Sequence, residues 1–400
     1  MAVWDDLVGQ EKVEEQLAAA ARDADTFVTA HAAGEPVPEA SKMTHAWLFT
    51  GPPGSGRDTA ARAFAAALQC VSPDRALGGA PGCGFCDGCH TALIGTHADV
   101  EVVRTDLLSI GVKDTRELVR RAQLSPAGGR WQVIVLEDAD RLTEGAANVL
   151  LKAVEEPAPR TVWLLCAPSL EDVLPTIRSR CRHLTLRTPS VAAVADVLIR
   201  RDGIEPERAR FAAAATQGHI DRARRLATDE RARARRAVVL KLPLRVGDIG
   251  GGLRAAQELV DAAAEDAKQV AEEIDVKETE ELKAALGAAQ GGRMPRGTAG
   301  AMKDLEDRQK RRRTRTQRDS LDLALSDLTG FYRDVLALQL RATTPLANED
   351  TRDAIERIAE DTAPERTLRR IEAILACRES LDRNVAPLLA VEAMTMALRD

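Results

Sequence analysis

Short, nearly continuous apolar runs alternate with amphipathic stretches over the first half of the chain. Each run has the length of a strand, and the stretches between them have the periodicity of helices. The strand candidates are His45–Gly51, Asp99–Thr105, Trp131–Asp140, Thr161–Pro168 and Arg182–Pro189. The helix candidates include Asp58–Gln69, Lys113–Leu124 and Glu144–Glu155. This alternation predicts an α/β fold with a parallel five-stranded sheet that is covered on both faces.

The strand pattern ends near Ser190, and the remaining sequence has the pattern of amphipathic helices. Helical periodicity fills the stretch up to about residue 242 and continues from Pro243 to Asp400. We therefore predict three parts, 1–187, 188–242 and 243–400, with the last two built from helices.

Composition narrows the class of protein. The 400 residues are 44% hydrophobic and 30% charged, as in globular proteins, and the net charge is −6. Proteins that bind nucleic acid alone are more often basic.

The residues after Met1 lack the features of a signal peptide, and no run reaches the ~18–20 apolar residues of a membrane span, so we expect a cytoplasmic protein. Its seven cysteines then favour metal ligands or buried thiols over disulfides.

A glycine-rich turn, GPPGSGRDT, follows the first strand candidate. Gly51, Gly54 and Gly56 have the spacing of a phosphate-binding loop, in which backbone N–H groups and a helix N-terminus bind phosphate. Working loops end in Lys and then Ser or Thr, but here Arg57 and Asp58 follow. Because Arg does not replace Lys at such a site and a carboxylate repels phosphate, we predict a degenerate loop. Asp58 also suits the first turn of a helix.

The third strand candidate ends in two acidic residues, Glu137 and Asp138. ATPases with this loop use a strand that ends in Asp-Glu for magnesium and water activation, so the order here is inverted. The exchange displaces each carboxylate by about a methylene, whereas catalytic geometry tolerates roughly 0.5 Å. The pair therefore favours an altered site, or acids that are solvated or cap the next helix.

A cysteine cluster follows the phosphate-loop helix with the spacing C-x12-C-x2-C-x2-C. Its members are Cys70, Cys83, Cys86 and Cys89. Four thiolates complete a tetrahedral zinc site and leave no open position for catalysis. The spacing predicts structural zinc rather than free surface thiols. His90 and His97 lie nearby, but we interpret them as non-ligands because four cysteines suffice.

Several motifs in this order and spacing resemble AAA+ clamp-loader subunits of bacterial DNA polymerase III, in particular the delta-prime family. The motifs are DDLVGQEKVEEQL, the phosphate loop, NVLLKAVEEPAP, RSRC and the cysteine insert. The resemblance covers about residues 1–230. It implies an AAA+ P-loop domain at 1–187 with a zinc module at 70–89, a helical lid domain at 188–242 and an all-α collar or oligomerisation domain at 243–400.

In that family the arginine of Ser-Arg-Cys is an arginine finger, which enters the ATP site of a neighbouring subunit. The matching residue here is Arg180, and the alternative is a surface arginine in an ion pair. Hydrolysing members also carry a polar residue at the end of the fourth strand and a lid arginine. Here the strand ends in Cys166-Ala167-Pro168, and Asp221 stands at the lid position.

The resemblance thus implies a subunit that does not itself hydrolyse ATP. It would lend Arg180 to an ATPase (tau/gamma) subunit and join a delta subunit, so that the sliding clamp is loaded on primed DNA during replication by the polymerase holoenzyme. One alternative is a catalytically active AAA+ ATPase subunit of the same loader, and another is a zinc-dependent nucleic-acid-binding protein. Whether ATP or ADP binds without hydrolysis stays open. The basic run Lys310–Arg318 is either a phosphate-contacting patch or a solvated helix face.

Overall fold

A computed structural model describes residues 2–34, 42–73, 81–105, 107–128, 130–285 and 299–399. The chain divides into two compact units, one of Met1–Gly203 with Gly218–Arg222, the other of Ile204–Gln217 with Ala223–Asp400. The lid predicted at 188–242 contributes residues to both units, and the three-part division stays a prediction.

The first unit is built on a parallel sheet of five strands. They are β1 (Ala46–Thr50), β2 (Val100–Val103), β3 (Gln132–Leu136), β4 (Thr161–Ala167) and β5 (Arg182–Thr185). Their order across the sheet is β2-β3-β4-β1-β5, and every neighbouring pair is parallel. The three central strands are buried at every residue. The predicted α/β P-loop fold with a five-stranded parallel sheet is confirmed.

Helices cover both faces of this sheet. They are α1 (Glu11–Ala33), α2 (Arg57–Leu68), α3 (Asp87–Leu93), α4 (Val112–Ala122), α5 (Glu144–Glu155), α6 (Pro175–Arg178) and α7 (Val191–Arg200). Successive residues of β1 enter opposite cores: Trp47 and Phe49 join the core that includes α1 and α2, whereas Ala46 and Leu48 join the core that includes α4 and α5. This two-sided burial explains the continuous apolar runs in the sequence.

The described part of the second unit is helical, as predicted. Its helices are α8 (Pro206–Ala215), α10 (Glu230–Val239), α11 (Ile249–Ala285), α12 (Ala299–Gln339), α13 (Arg352–Asp361), α14 (Pro364–Asp382) and α15 (Pro387–Arg399), while α9 (Ile220–Thr228) contains residues of both units. The core centres on α12, where Leu325, Leu328 and Phe331 are fully buried and join Ile374 of α14.

Among the helices of the described residues, none is both long enough and apolar enough to cross a bilayer. The cytoplasmic location stays a prediction.

Candidate functional site

The turn between β1 and α2 has the backbone conformation of a phosphate-binding loop. Gly54 and Gly56 adopt φ values of 86° and 78°, a region in which residues with a Cβ are strained. A Cβ on Gly51 would lie 2.4 Å from Ser55 Oγ. Gly56 also precedes the first turn of α2, whose N–H groups lack intrahelical partners. The three glycines therefore maintain a turn that places α2's N-terminus at the loop.

Two side chains of the chain itself contact this loop. Arg57 donates from Nη1 to the carbonyl oxygen of Gly51 at 2.9 Å, so its guanidinium is turned back onto the turn. The ring of His219 lies against Gly54. A Cβ added to Gly54 would be only 2.6 Å from His219 Cγ. Burial, and then the charge of Arg222, lower the pKa of His219. The prediction for this segment concerned Asp221, two residues further on, and did not include His219.

The two acidic residues after β3 also have partners within the chain. Glu137 is 8% exposed, and its Oε1 accepts a hydrogen bond from Arg62 Nε at 2.5 Å. This hydrogen bond raises the pKa of Arg62. Asp138 accepts a hydrogen bond from the backbone N–H of Thr105 at 2.9 Å. Arg62 lies on α2 one turn beyond Asp58, but no local pattern pairs it with Glu137, which is 75 residues away.

The end of β4 borders the loop through its backbone and its thiol. The N–H of Gly51 donates to the carbonyl oxygen of Pro168 at 3.2 Å. The thiol of Cys166 donates to the carbonyl oxygen of Arg57 at 3.7 Å. Burial, and then the charges of Asp58 and Glu137, raise the pKa of this thiol well above its usual range, so it stays protonated. The position predicted to lack a phosphate sensor therefore holds a neutral thiol.

The four predicted cysteine ligands come together. They are Cys70, Cys83, Cys86 and Cys89, and their sulfurs all lie within 4.8 Å of one another. The Sγ atoms of Cys70 and Cys86 are 3.9 Å apart, close to the edge of about 3.8 Å of a tetrahedron with metal–sulfur bonds of about 2.3 Å. The N–H groups of Val71 and Cys86 donate to the sulfurs of Cys86 and Cys83, both at 3.4 Å. This arrangement could hold a metal ion.

Hydrogen bonds also favour a thiolate in the cluster. The hydrogen bond between Cys70 and Cys89 lowers the pKa of Cys70, against the effect of burial, and raises that of Cys89, while burial raises the pKa of Cys83. A deprotonated sulfur is the form that binds a metal. Cys70 and Cys89 are buried, so the cluster forms part of the core beside α2 and α3.

The N-terminal residues hold the cysteine module in place. The backbone N–H of Val3 donates to the carbonyl oxygen of Gly82 at 2.9 Å, and Trp4 Nε1 donates to that of Pro81 at 3.1 Å. Gly82 has a φ of 109°, and a Cβ there would lie 2.6 Å from Val3 Cγ2. Only glycine fits this contact without a shift.

The two neighbouring histidines lie apart from the cluster. Nδ1 of His97 accepts a hydrogen bond from the backbone N–H of Asp99 at 3.0 Å. His90 is exposed on α3. Among the described residues, the group that could hold a metal contains the four cysteines and neither histidine.

Arg180 follows α6 and reaches the end of α5. Its Nε lies 2.5 Å from Oε1 of Glu155, and its Nη1 donates to the carbonyl oxygen of Thr176 at 2.8 Å and to Ser179 Oγ at 3.1 Å. The side chains of Arg180 and Glu155 are 39% and 37% exposed. The side chain is thus both accessible and paired. Burial raises the pKa of the adjacent Cys181 thiol to about 12, in keeping with a packing role.

The basic run on α12 is largely paired within the second unit. Arg312 is 9% exposed and donates to Asp275 at 2.7 Å and to Glu278 at 2.9 Å, both on α11. These hydrogen bonds, that of Glu278 first, raise its pKa. Arg318 donates to Asn384 at 2.7 Å. Arg312 is therefore buried in an ion pair between α11 and α12 and is not part of a solvated helix face.

Comparison with known proteins agrees with these features. The family described as "DNA polymerase III, delta subunit" matches residues 37–190, and "DNA polymerase III, delta subunit, C terminal" matches residues 317–395. The chain is 38% identical over 172 residues to DNA polymerase III subunit delta′ of Pseudomonas aeruginosa, and 32% identical over 204 residues to that of Bacillus subtilis. The chain belongs to the DNA polymerase III delta-prime family.

The aligned regions are partial. They cover 42% of this chain and 51% of the P. aeruginosa delta′ subunit, and 51% of this chain and 60% of the B. subtilis one. DNA polymerase III subunit gamma/tau of Mycobacterium tuberculosis is 37% identical over 150 residues, which is 37% of this chain and 25% of that protein. The family models match residues 37–190 and 317–395 of this chain. The chain aligns with at most 60% of the length of these three relatives.

Proposed function

We propose that this member of the delta-prime family is a clamp-loader subunit that supplies an arginine finger and does not hydrolyse ATP itself. The observation that carries the proposal is a contrast between two sites. Arg57 and His219 occupy the phosphate loop, whereas Arg180, within the family motif Ser179-Arg180-Cys181, remains accessible. A site closed in this way favours an architectural role, and an accessible arginine suits a role in another subunit.

Three features argue against hydrolysis at the chain's own loop. The loop lacks the lysine that reaches the β- and γ-phosphates and the hydroxyl that binds magnesium. Glu137, which would have to bind magnesium or activate water, is instead buried against Arg62. Asp58 adds a negative charge where phosphate oxygens would lie. A bound nucleotide would have to break the Arg57–Gly51 hydrogen bond and displace the ring of His219.

Arg180 would act in the ATP site of a neighbouring tau/gamma subunit. A guanidinium directed at the transferring phosphoryl group stabilises its negative charge, and such fingers accelerate hydrolysis by about 10³–10⁵. Hydrolysis in that subunit would then be coupled to placing the sliding clamp on primed DNA, with a delta subunit as a further partner. The role is catalytic in the partner's site only.

The cysteine cluster would hold a structural zinc ion. The four sulfurs fill a tetrahedral coordination sphere, so the ion would cross-link the end of α2 to the turn before α3 and would have no vacant position for chemistry. The predicted ligand set is Cys70, Cys83, Cys86 and Cys89.

The test is a loader reconstituted from this chain and its partner subunits, with Arg180→Ala. We expect assembly to be unchanged, the hydrolysis of one ATPase site to be lost, and clamp loading on primed DNA to fail. Arg178→Ala, two residues earlier on α6, is the matched control and should load clamps like the wild type. Clamp loading at the wild-type rate by the assembled Arg180→Ala loader would overturn the proposal. Steady ATP hydrolysis by the isolated chain, abolished by Glu137→Ala, would favour the ATPase alternative.

A further inference from the structure

The guanidinium of Arg180 is held on one side and accessible on the other. Glu155 binds its Nε at 2.5 Å, and the carbonyl oxygen of Thr176 binds its Nη1 at 2.8 Å. A third contact runs from Nη1 to Ser179 Oγ at 3.1 Å. A guanidinium has five N–H donors in a fixed plane, so these three contacts leave the two donors of Nη2 for a further acceptor. Such donors make charge-assisted hydrogen bonds to phosphate oxygens.

Glu155 lies on a rigid support. It is the last residue of α5, whose buried residues Ala147, Leu150 and Val154 belong to the core on one face of the sheet. The other end of α5 is capped by Thr143, whose side chain accepts a hydrogen bond from the backbone N–H of Ala146. The backbone that carries Glu155 is therefore packed against the sheet, whereas Arg180 follows the four-residue helix α6. A site on a long packed helix is more precise than one on a short connecting segment.

We infer that Glu155 is a positioning residue for the arginine finger. By binding the Nε edge, it restricts the rotamers of Arg180 and directs the outer N–H groups toward the phosphate of the neighbouring subunit. This inference rests on the proposed function of Arg180. Glu155 touches neither nucleotide nor water in this scheme and acts through Arg180 alone.

Removing the charge while keeping the shape isolates this role. Glu155→Gln retains the length of the side chain and the helix, but a neutral amide oxygen makes a weaker hydrogen bond to a guanidinium than a carboxylate does. Glu156→Gln is the matched control, because Glu156 is the next residue and is also exposed. Arg180→Ala and the double variant Glu155→Gln/Arg180→Ala complete a cycle that measures the coupling between the two side chains.

The four variants are compared with the wild type in the reconstituted loader by DNA-stimulated ATP hydrolysis and clamp loading. For Glu155→Gln we expect kcat to fall about three- to tenfold, with KM for ATP changed less than about twofold, because the contact acts on the transition state. Glu156→Gln should stay within about twofold of the wild type. In the Arg180→Ala background, Glu155→Gln should cause no further loss.

The outcomes separate the two proposals. If Arg180→Ala abolishes loading and Glu155→Gln is as active as the wild type or more so, the finger stands and the positioning role is wrong. If Glu155→Gln lowers activity by the same factor with and without Arg180, its role is structural and the inference is also overturned. If Arg180→Ala loads clamps normally, the proposed function itself fails, and the positioning role fails with it.

Discussion

The phosphate loop and the cysteine cluster lie at opposite ends of the same helix, α2, and they differ in what fills them. At one end, four sulfurs converge within 4.8 Å in a geometry that fits a tetrahedral metal. At the other, the loop keeps its glycine conformations, but Arg57 and His219 occupy it. Backbone geometry has been retained at both ends. We therefore expect ligand binding to depend on the side chains at each site as well as on motif spacing.

The largest expected effect lies at the cysteine cluster. Cys89 is fully buried, and Cys89→Ser leaves three sulfur ligands. We expect the wild-type chain to carry one zinc ion and the variant to bind zinc more than about 100-fold more weakly. The thermal midpoint should fall by at least about 5 °C, because structural zinc contributes to folding. Elemental analysis measures the zinc content, titration with zinc measures the affinity, and scanning calorimetry measures the thermal midpoint.

Cys181→Ser controls for the loss of a thiol, because Cys181 lies outside the cluster. It should retain one zinc ion per chain. The prediction is wrong if wild-type protein purified under reducing conditions carries no zinc and takes up none on addition. The two ends of α2 would then not differ in ligand binding.

The next effect concerns the loop and its obstruction. Arg57→Lys with Asp58→Thr restores the usual ending of a phosphate loop but leaves His219 against Gly54. We expect this double variant to bind ATP no better than the wild type. Adding His219→Ala should tighten ATP binding at least about tenfold, because the ring no longer competes with phosphate. Titration calorimetry with ATP and magnesium measures the affinities.

The triple variant with His97→Ala in place of His219→Ala is the control for removing a histidine. His97 lies near the cysteine module and accepts a hydrogen bond from Asp99, so it should not affect the loop. Tight ATP binding by the double variant alone would show that His219 does not obstruct the site.

Local sequence patterns predicted the sheet and the grouping of the four cysteines. Strands that are buried on both faces appear in the sequence as continuous apolar runs. Cysteines with C-x2-C spacing can bind one metal ion, so this spacing predicts a metal site whatever the rest of the fold. The main error in a strand was at β3, predicted to reach Asp140 but ending at Leu136. The strand prediction ran through the acidic residues, where the chain instead enters a short 3-10 turn at Ala139–Arg141.

Contacts between residues distant in sequence could not be predicted in this way. His219 reaches Gly54 only because of the fold, and the pair of Glu155 with Arg180 depends on how α5 and α6 pack. The basic run shows the same limit. The run was predicted to be a phosphate-contacting patch or a solvated helix face, but Arg312 is buried and its partners lie on another helix. A charge pattern along one helix does not reveal the charges on the helix beside it.

A smaller effect tests the contact between Gly54 and His219 directly. Gly54→Ala imposes a Cβ at a φ of 86° and 2.6 Å from the ring, whereas Gly203→Ala imposes one at a φ of 65° with no atom within 4 Å. We expect Gly203→Ala to lower the free energy of unfolding by about 1 kcal/mol and Gly54→Ala by roughly 2–4 kcal/mol. In a His219→Ala background, the cost of Gly54→Ala should approach that of Gly203→Ala. Urea unfolding measures each value, and equal costs in the wild-type background would contradict the contact.

The smallest expected effect is a dependence of stability on pH. Burial, and then Arg222, lower the pKa of His219, while Asp221 and Asp58 oppose the shift in part. The unfolded chain, in which a histidine titrates near 6.5, then binds more protons than the folded chain between pH 6.5 and the lowered pKa. Stability should therefore fall as the pH falls through this window, by less than about 1.4 kcal/mol per pH unit, and should not depend on this residue above it.

His219→Gln should remove that part of the pH dependence. Because burial also lowers the pKa of His97 and His183, the quantity to compare is the difference between wild type and variant in urea unfolding at pH 7.5 and 5.5. We expect the wild type to lose more stability than the variant between pH 7.5 and 5.5, because only the wild type contains the partly buried ring of His219, whose protonation is disfavoured in the folded chain. If the two proteins lose stability in parallel, the pKa of His219 is not lowered in the folded chain.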